Sequence, residues 1–564
     1  MNRESKIGGL RRAADAKNGI FSTFRQVGQF RLPLLALAGA ALIAAAPAHA
    51  NPKGGQVVGG SATITQTTPA PTPSSQAAPA PTTGSQLYID QTTNRAVIDW
   101  QSFSIAPGEQ TSFHQPAPSS MTLNRVVSPN DPSVIAGRLS ANGQIVLINQ
   151  NGITFSKGAE VNVNSILATT TDISNANFMK GQMRFDIPSN KPGATVVNQG
   201  SITVAQKGLA ALVAPSAGNS GVIKANLGKV VLGGAQTYTL DFYGDGLISF
   251  DVGPKVTTVP TGPDGRPVKS LVSNTGRIDA PGGTVLLTAD AAAGVIGNVV
   301  DARGQITART SGPTPGSVTI DAGPGGAASL SGKIDVSGLK PGQTGGSATL
   351  TGGSVNLTSS AQIDARGNVG GGKVRVGGGP QGKDPTVRNA TTATVAAGAI
   401  IDASATGVGD GGQVTVWSDI TTAFNGTILS QGGPARGNGG TIETSGHGQL
   451  VVGSLASVSA AAPKGASGVW LLDPDSDVTI TNTSSGVNCT ISFVCSPTGD
   501  SSTLSASVIN NALNGGTSVT VITFNPEGTQ QGNIFVGATA GGTDGAITLS
   551  QPRTVSLMLD AGAA

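Results

Sequence analysis

The chain has 564 residues, of which 82 are glycine and only 12% are charged, about twice the glycine and half the charge of an ordinary domain, where they run near ~7% and ~25%. That composition excludes an ordinary helical enzyme, the absence of a strict Gly-X-Y period excludes collagen, and plentiful valine, isoleucine and leucine in alternating runs exclude wholesale disorder. The formal charge of +3 and isoelectric point of 8.8 are misleading: the first fifty residues hold seven basic and two acidic side chains, which leaves 27 basic against 29 acidic, near −2, so nucleic-acid binding has no electrostatic support.

Those fifty residues form a segment of their own. Arg3, Lys6, Arg11, Arg12, Lys17, Arg25 and Arg31 make a basic leader, Leu32–Ala46 is an apolar run, and Ala48-His49-Ala50 is a small-x-small cleavage site before Asn51. The pattern is that of an extended Sec signal peptide cut after Ala50, which implies the Sec translocon as a partner. The run is interrupted by Pro33 and falls short of the ~20 residues of a spanning helix. Cys489 and Cys495 are the only cysteines. In an exported chain they are either a small local disulfide loop or two incidental thiols.

After Asn51, Gly54–Thr65 predicts a short strand pair. Pro69–Thr83 (PAPTPSSQAAPAPTT) predicts an extended, solvated insertion. From Gln86 strand signals return, through Ala96–Ile105, and reach Asn142–Phe155 (NGQIVLINQNGITF), where two Asn-Gly turns flank an apolar run too short for a helix. Further on, an aliphatic residue followed by Asp recurs at Ile278-Asp279, Val300-Asp301, Ile334-Asp335, Ile363-Asp364 and Ile401-Asp402. Glycine pairs lead into alternating strands at Gly282–Leu287, Gly352–Leu357, Gly371–Val376, Gly411–Val416 and Gly439–Thr444. A corner phrase repeated over hundreds of residues predicts an all-β parallel β-helix, a solenoid with short insertions, and disfavours a sandwich or an up-and-down barrel. One helix is predicted, Ser505–Leu513, with Ser505 as its cap and Gly515-Gly516 as its stop, before a strand at Ser518–Thr523. The chain ends at Ala564 after another strand without a polar cap repeat, so a longer natural protein is expected, continuing in either further repeats or a toxin module.

Catalytic, metal and cofactor signals are missing. Gly377–Asp384 (GGGPQGKD) has phosphate-loop spacing but places Asp384 where Ser or Thr must hold magnesium, so it is expected to be a solenoid corner. Past the leader, His114 and His447 are the only histidines, too few for a histidine metal site. No Gly-x-Ser-x-Gly elbow occurs. Asp279, Asp301, Asp335, Asp364 and Asp402 fall once per repeat, which suits a ladder better than the clustered carboxylates of a polysaccharide-active enzyme.

Ile98–Phe113 (IDWQSFSIAPGEQTSF) and Leu123–Thr170, with Leu123-Asn124-Arg125-Val126 and Asn149-Gln150-Asn151-Gly152-Ile153 as their strongest parts, resemble the secretion domain of two-partner secretion exoproteins, the filamentous-haemagglutinin-like family. Gln150 stands where many members have proline, and the companion Asn-Pro-Asn-Leu motif is missing. Gly468–Ile480 (GVWLLDPDSDVTI) is similar to the passenger region of large members. The resemblance implies a right-handed parallel β-helix, with the leader at 1–50, a secretion domain at 51–300 that carries the 69–83 insertion, and a glycine-rich passenger at 301–564. It also implies recognition in the periplasm by the POTRA domains of an outer-membrane β-barrel transporter and release to the cell surface as an adhesin. The adhesin's receptor lies on a host or neighbouring cell. The alternatives are the carrier part of a contact-dependent toxin and a β-helical enzyme. Asn149 and Asn151 are expected either as corner residues forming a ladder or as direct contacts to the transporter.

Overall fold

Short runs in which every second side chain is apolar, separated by corners, become strands of two to six residues from Gln56 to Ala561. The computed structural model describes residues 51–67, 84–189, 191, 194–240, 251–253, 255–292, 294–482, 487–489, 495–497, 501–523, 532–537, 546–550 and 554–561. The leader and the 69–83 insertion therefore lie outside the described residues. One coil is seen whole between Gln144 and Thr169: Gln144–Ile148, Ile153–Phe155 and Glu160–Val163 occupy three faces, and Ser165–Thr169 returns to the first face with Ser165 beside Gln144, 21 residues on. Repetition builds three long sheets of 16, 14 and 14 strands among the described residues. Like residues stack from coil to coil, as Ile145 on Ile166 and Ile166 on Ala210, so the inward side chains form one continuous apolar core. Each fully buried Ile, Leu or Val in it contributes about 1.5–3 kcal/mol.

The start is built differently. Gln56–Gly59 and Ala62–Thr67 do not pair with one another as expected; they run antiparallel to Arg95–Trp100 and Gln86–Gln91. Each therefore covers the open edge of a different sheet, which a hairpin of the two could not do. Every other pairing described within the three sheets is parallel.

The repeat phrase also needs correcting. Ile278, Ile306, Ile334, Ile363 and Ile401 stack on one face, so Asp279, Asp335, Asp364 and Asp402 share a row with Thr307. Val300-Asp301 lies on another face, paired with Val272 and Ala328, and Gly352–Leu357 likewise leads into a strand off the first sheet. Identical short phrases at two faces are indistinguishable without register. In the first-sheet glycine pairs, a Cβ at Gly371 would overlap the carbonyl oxygen of Ala403, so glycine is required by close approach there.

The helix α1 (Asn175–Met179) was not legible, being too short to show a period. The helix α2 (Ala506–Asn514) follows Ser505 as expected and ends at Gly515. The Ser505 hydroxyl, however, bonds to Ser507 Oγ at 2.9 Å and caps no backbone group. Gly377–Asp384 is not a plain corner: it leaves the solenoid after Lys373–Val376, makes a single 3-10 turn at Pro380–Gly382 and lies over the first sheet against Trp417. The backbone sets Cys489 opposite Cys495 in a two-stranded antiparallel ribbon. The first sheet runs unbroken from Lys229–Gly234 through Thr284–Ala289 to Ser317–Asp321, so no break in it marks residue 300.

Candidate functional site

The predicted motif residues fall on two adjoining coils near the start. Arg95–Trp100, Met121–Val126, Gln144–Ile148 and Ser165–Thr169 are neighbours in the first sheet. Their outward side chains include Val97, Leu123, Val146 and Leu167, and this outer face is itself apolar. Two excursions cover it, through Ile173, Phe178, Met183 and Phe185 from one side and Ala235, Tyr238 and Leu240 from the other. Phe185 stacks on Tyr238 with ring centroids 4.8 Å apart. Leu123 is thus fully buried on the outside of the solenoid. Asn124, next to it, points inward, is 0% exposed, and accepts a hydrogen bond from Trp100 Nε1 at 3.0 Å.

Arg125 ties the excursion to the sheet. Its Nε donates to both oxygens of Asp172 (2.9 and 3.0 Å), Nη1 donates to Asp99 (3.0 Å) and to Asn175 Oδ1 (2.8 Å), and Nη2 donates to the Ile173 carbonyl (2.8 Å). The side chain is 14% exposed. A planar fork with fixed donors suits this geometry, and an ammonium does not. Arg125 thereby fixes the start of α1, whose Ser174 hydroxyl accepts from the Asn177 N–H at 3.1 Å. Asp99, Asp172 and Asn175 are the partners that sequence reasoning missed. They come from separate segments and carry no local signal.

Asn149–Ile153 makes the next corner. Asn149, 0% exposed, donates from Nδ2 to the Asp131 carbonyl (2.8 Å) and Ser133 Oγ (3.0 Å), while its Oδ1 accepts from the backbone and side-chain nitrogens of Asn151. Asn151 Nδ2 also reaches the Ser128 carbonyl at 2.8 Å. Gly152 has φ +113°, a conformation that favours glycine, and its N–H closes the turn onto Asn149 O. Ile153 is buried between Ser133 and Val196. Gln150, in the position of the family proline, donates to the Pro188 carbonyl at 3.2 Å and accepts at its own carbonyl from the Ser189 hydroxyl. Asn149 to Gly152 form the corner, and Ile153 opens the strand that follows it.

The asparagine ladder exists, but elsewhere. Asn198 Nδ2 donates to Asn219 Oδ1 and Asn219 Nδ2 to Asn274 Oδ1, each at 2.8 Å. The three stack in register. Its signal was legible as Asn-x-Gly before an apolar strand, in Asn198-Gln-Gly, Asn219-Ser-Gly and Asn274-Thr-Gly.

Asn51 is described and buried, with Nδ2 donating to the Ser85 carbonyl at 2.7 Å and Oδ1 accepting from Thr111 Oγ1 at 3.2 Å. Ala48 and Ala50 lie outside the described residues. His114 and His447 each face one aspartate, Asp90 and Asp475. No group of metal-binding side chains forms among the described residues.

The aspartate row is neutralised by arginine. Asp335 meets Arg309 from the neighbouring coil at 2.6 Å, Asp364 and Asp402 share Arg366, and Asp279 meets Arg277. Burial pushes the Asp335 carboxyl up, but Arg309 and Ser337 outweigh it and hold it below the usual carboxylate range. Two other carboxyls behave oppositely. Glu443, 7% exposed on the outer face of the first sheet, is pushed up to about 7 by burial and by Asp473, against a bond from the Gln381 N–H. Burial and Asp475 raise Asp473.

The sequence profile of the TPS secretion domain matches residues 62–330. A heme/hemopexin-binding protein of Haemophilus influenzae strain Rd is 32% identical over 200 residues, 35% of this chain and 21% of that protein. A second heme/hemopexin-binding protein from Haemophilus influenzae is 38% identical over 100 residues, 18% of this chain and 11% of the other. The matches span about a fifth or less of those relatives. The crystal structure of the HMW1 secretion domain from Haemophilus influenzae superposes with a TM-score of 0.60 at 29% identity, covering 75% of this chain and all of that one.

Proposed function

We propose that this chain, whose residues 62–330 form a two-partner secretion domain, is the exported member of such a pair and serves at the cell surface as an adhesive solenoid. The observation that carries the reading is the joint one: the family profile covers the coils on which Leu123-Asn124-Arg125 and Asn149–Ile153 build the start of the fold, and the same core continues to Val521 without interruption. In this reading residues 1–50 direct the chain to the Sec translocon and are cut after Ala50. POTRA domains of an outer-membrane β-barrel partner then take up residues 51–300, and residues 301–564 follow as the passenger that meets a receptor on another cell. The name of the Haemophilus relatives describes whole proteins of which the matched part is a fifth or less, so haem or hemopexin binding is not carried over.

A polysaccharide-active enzyme calls for several acids on one open face. Asp279, Asp335, Asp364 and Asp402 do share a face, but each is paired with arginine, which works against that reading. The deciding experiment is secretion of the full chain in cells with and without its barrel partner, with protein measured in periplasm, cell surface and medium. Partner-dependent appearance outside the cell supports the reading. Equal export without the partner overturns it.

A further inference from the structure

The segment Gly377–Ala390 crosses the outer face of the first sheet and reaches a buried carboxyl. Its tip is strained: Gln381 has φ +51° and ψ +24°, one of three non-glycine residues with positive φ among those described. That conformation aims the Gln381 N–H at Glu443 Oε1, 2.9 Å away and 62 residues later in the chain. Gly378 and Gly382 lie flat against the Trp417 indole, where a Cβ on either would come within 2.7 Å of ring atoms. Arg375 and Asp384 pair at 2.9 Å at the base of the segment, and Asn389 Nδ2 donates to the Gly382 carbonyl at 3.0 Å. Unlike the aspartate row, Glu443 meets no arginine among the described residues. The charged and titratable groups acting on it and its neighbour Asp473 are Lys383 on the segment and Asp475 and His447 on the sheet side. Glu443 also borders a shallow groove of about 210 Å³ lined by Thr415, Thr441, Val469, Leu471 and Thr520.

We propose that Gly377–Ala390 is a proton-operated strap: with Glu443 neutral it lies closed over Trp417, and when Glu443 and Asp473 carry charge together it lifts, joining Trp417 to the neighbouring groove as one open surface. Two features prepare the motion, the left-handed conformation of Gln381 at the tip and the two neighbouring acids, Glu443 and Asp473, that Gln381 meets. The direction follows from linkage. With the strap closed, burial and Asp473 push the Glu443 carboxyl up to about 7, above its ordinary 4.5, against the opposing pull of the Gln381 N–H and Lys383; where lifting the strap returns water to the carboxyl, closure is favoured fully below ~4.5 and that advantage is lost as pH rises to ~7.

Hydrogen exchange on the full chain reads this directly. After division by the intrinsic exchange rate, protection of the Gln381, Gly382 and Lys383 amides is expected to fall about tenfold per pH unit between pH 5 and 7 and then level off, as release of one proton requires. In Glu443→Gln, where the amide oxygen still accepts from Gln381 and no charge can form, protection is expected to stay high and flat. In His447→Gln the wild-type fall is expected to persist. Protection independent of pH in the wild-type chain overturns the proposal, as does an undiminished fall in Glu443→Gln or its loss in His447→Gln.

Discussion

Replacing Arg125 by alanine separates a residue that builds the fold from one that a transporter touches. The side chain makes five hydrogen bonds to Asp99, Asp172, Ile173 and Asn175. Hydrogen bonds to charged groups are worth about 1.5–3 kcal/mol each, and removing one partner of a buried pair costs about 3–5 kcal/mol. The two carboxylates are 18% and 27% exposed, so water recovers part of that loss and the lower end, about 3 kcal/mol, is expected. The loss falls on the covering excursion, because the inward stacking of Asn124, Leu147 and Ala168 is untouched. Hydrogen exchange on the full chain should therefore show protection across Ile173–Ile187 reduced about a hundredfold, with Ile145–Ile148 and Ile166–Thr169 much less affected. Arg125→Lys keeps the charge but loses the planar fork, and is expected to lose about half as much. Export measured alongside then discriminates. If Arg125 acts through the fold, the lysine and alanine variants lose export in proportion to lost protection. Unchanged protection at 173–187 in Arg125→Ala would refute the structural role worked out above.

Asn219→Ala should strip the ladder of its middle rung, leaving Asn198 Nδ2 and Asn274 Oδ1 without their partners, and lower stability by about 2–4 kcal/mol in urea unfolding. Gly371→Ala is expected to cost about 3 kcal/mol through overlap with the next coil, while Gly325→Ala, with open space around its position, should be neutral; equal effects would remove close approach as the reason for the glycine pairs. Because Asp335 is held below its ordinary value, its share of stability is present above pH ~4 and lost as pH falls further, so Arg309→Ala should flatten the acid limb of a stability-pH profile. Cys489 and Cys495 stand opposite in an antiparallel ribbon, where Cα separations of about 4.5–5.5 Å match disulfide geometry. Mass spectrometry of exported, unreduced protein should find them bonded.

The architecture was legible because its signal repeats: Ile-Asp phrases and glycine pairs recur too often for any fold but a solenoid, and α2 announced itself by a serine before it and glycines after. Register was not legible. Asp301 and Asp335 sit in near-identical phrases, yet only the pairing of Ile306 with Ile278 and Ile334 shows that one belongs to a different face. The motif residues were found by resemblance, but their work was not. Nothing local to Leu123-Asn124-Arg125 tells that Leu123 is covered from outside, that Asn124 holds Trp100 and that Arg125 reaches residues 172–175. Glu443 was invisible for the same reason, since its environment is made by a segment sixty residues earlier.

The distribution of large buried side chains carries one more step. Trp100, Phe103, Phe113, Phe155, Phe178 and Phe185 are fully buried before residue 190, and after it Phe424 and Trp470 are the aromatic residues among the largest so buried. Later coils rely on alanine, valine and isoleucine over glycine corners, and each is stabilised by the coil before it, as nearest-neighbour stacking requires. The first coils have no predecessor among the described residues. They make up for it with two antiparallel strands across the open edges, aromatic side chains in the interior, a covered outer face and the Arg125 knot. A chain that emerges from its amino end can therefore complete a self-sufficient template first and add coils to it one at a time, each new coil burying apolar surface that resists return. On the secretion reading proposed above, the early motifs would be needed for export whether or not a transporter touches them, because they make the template on which the rest of the chain folds.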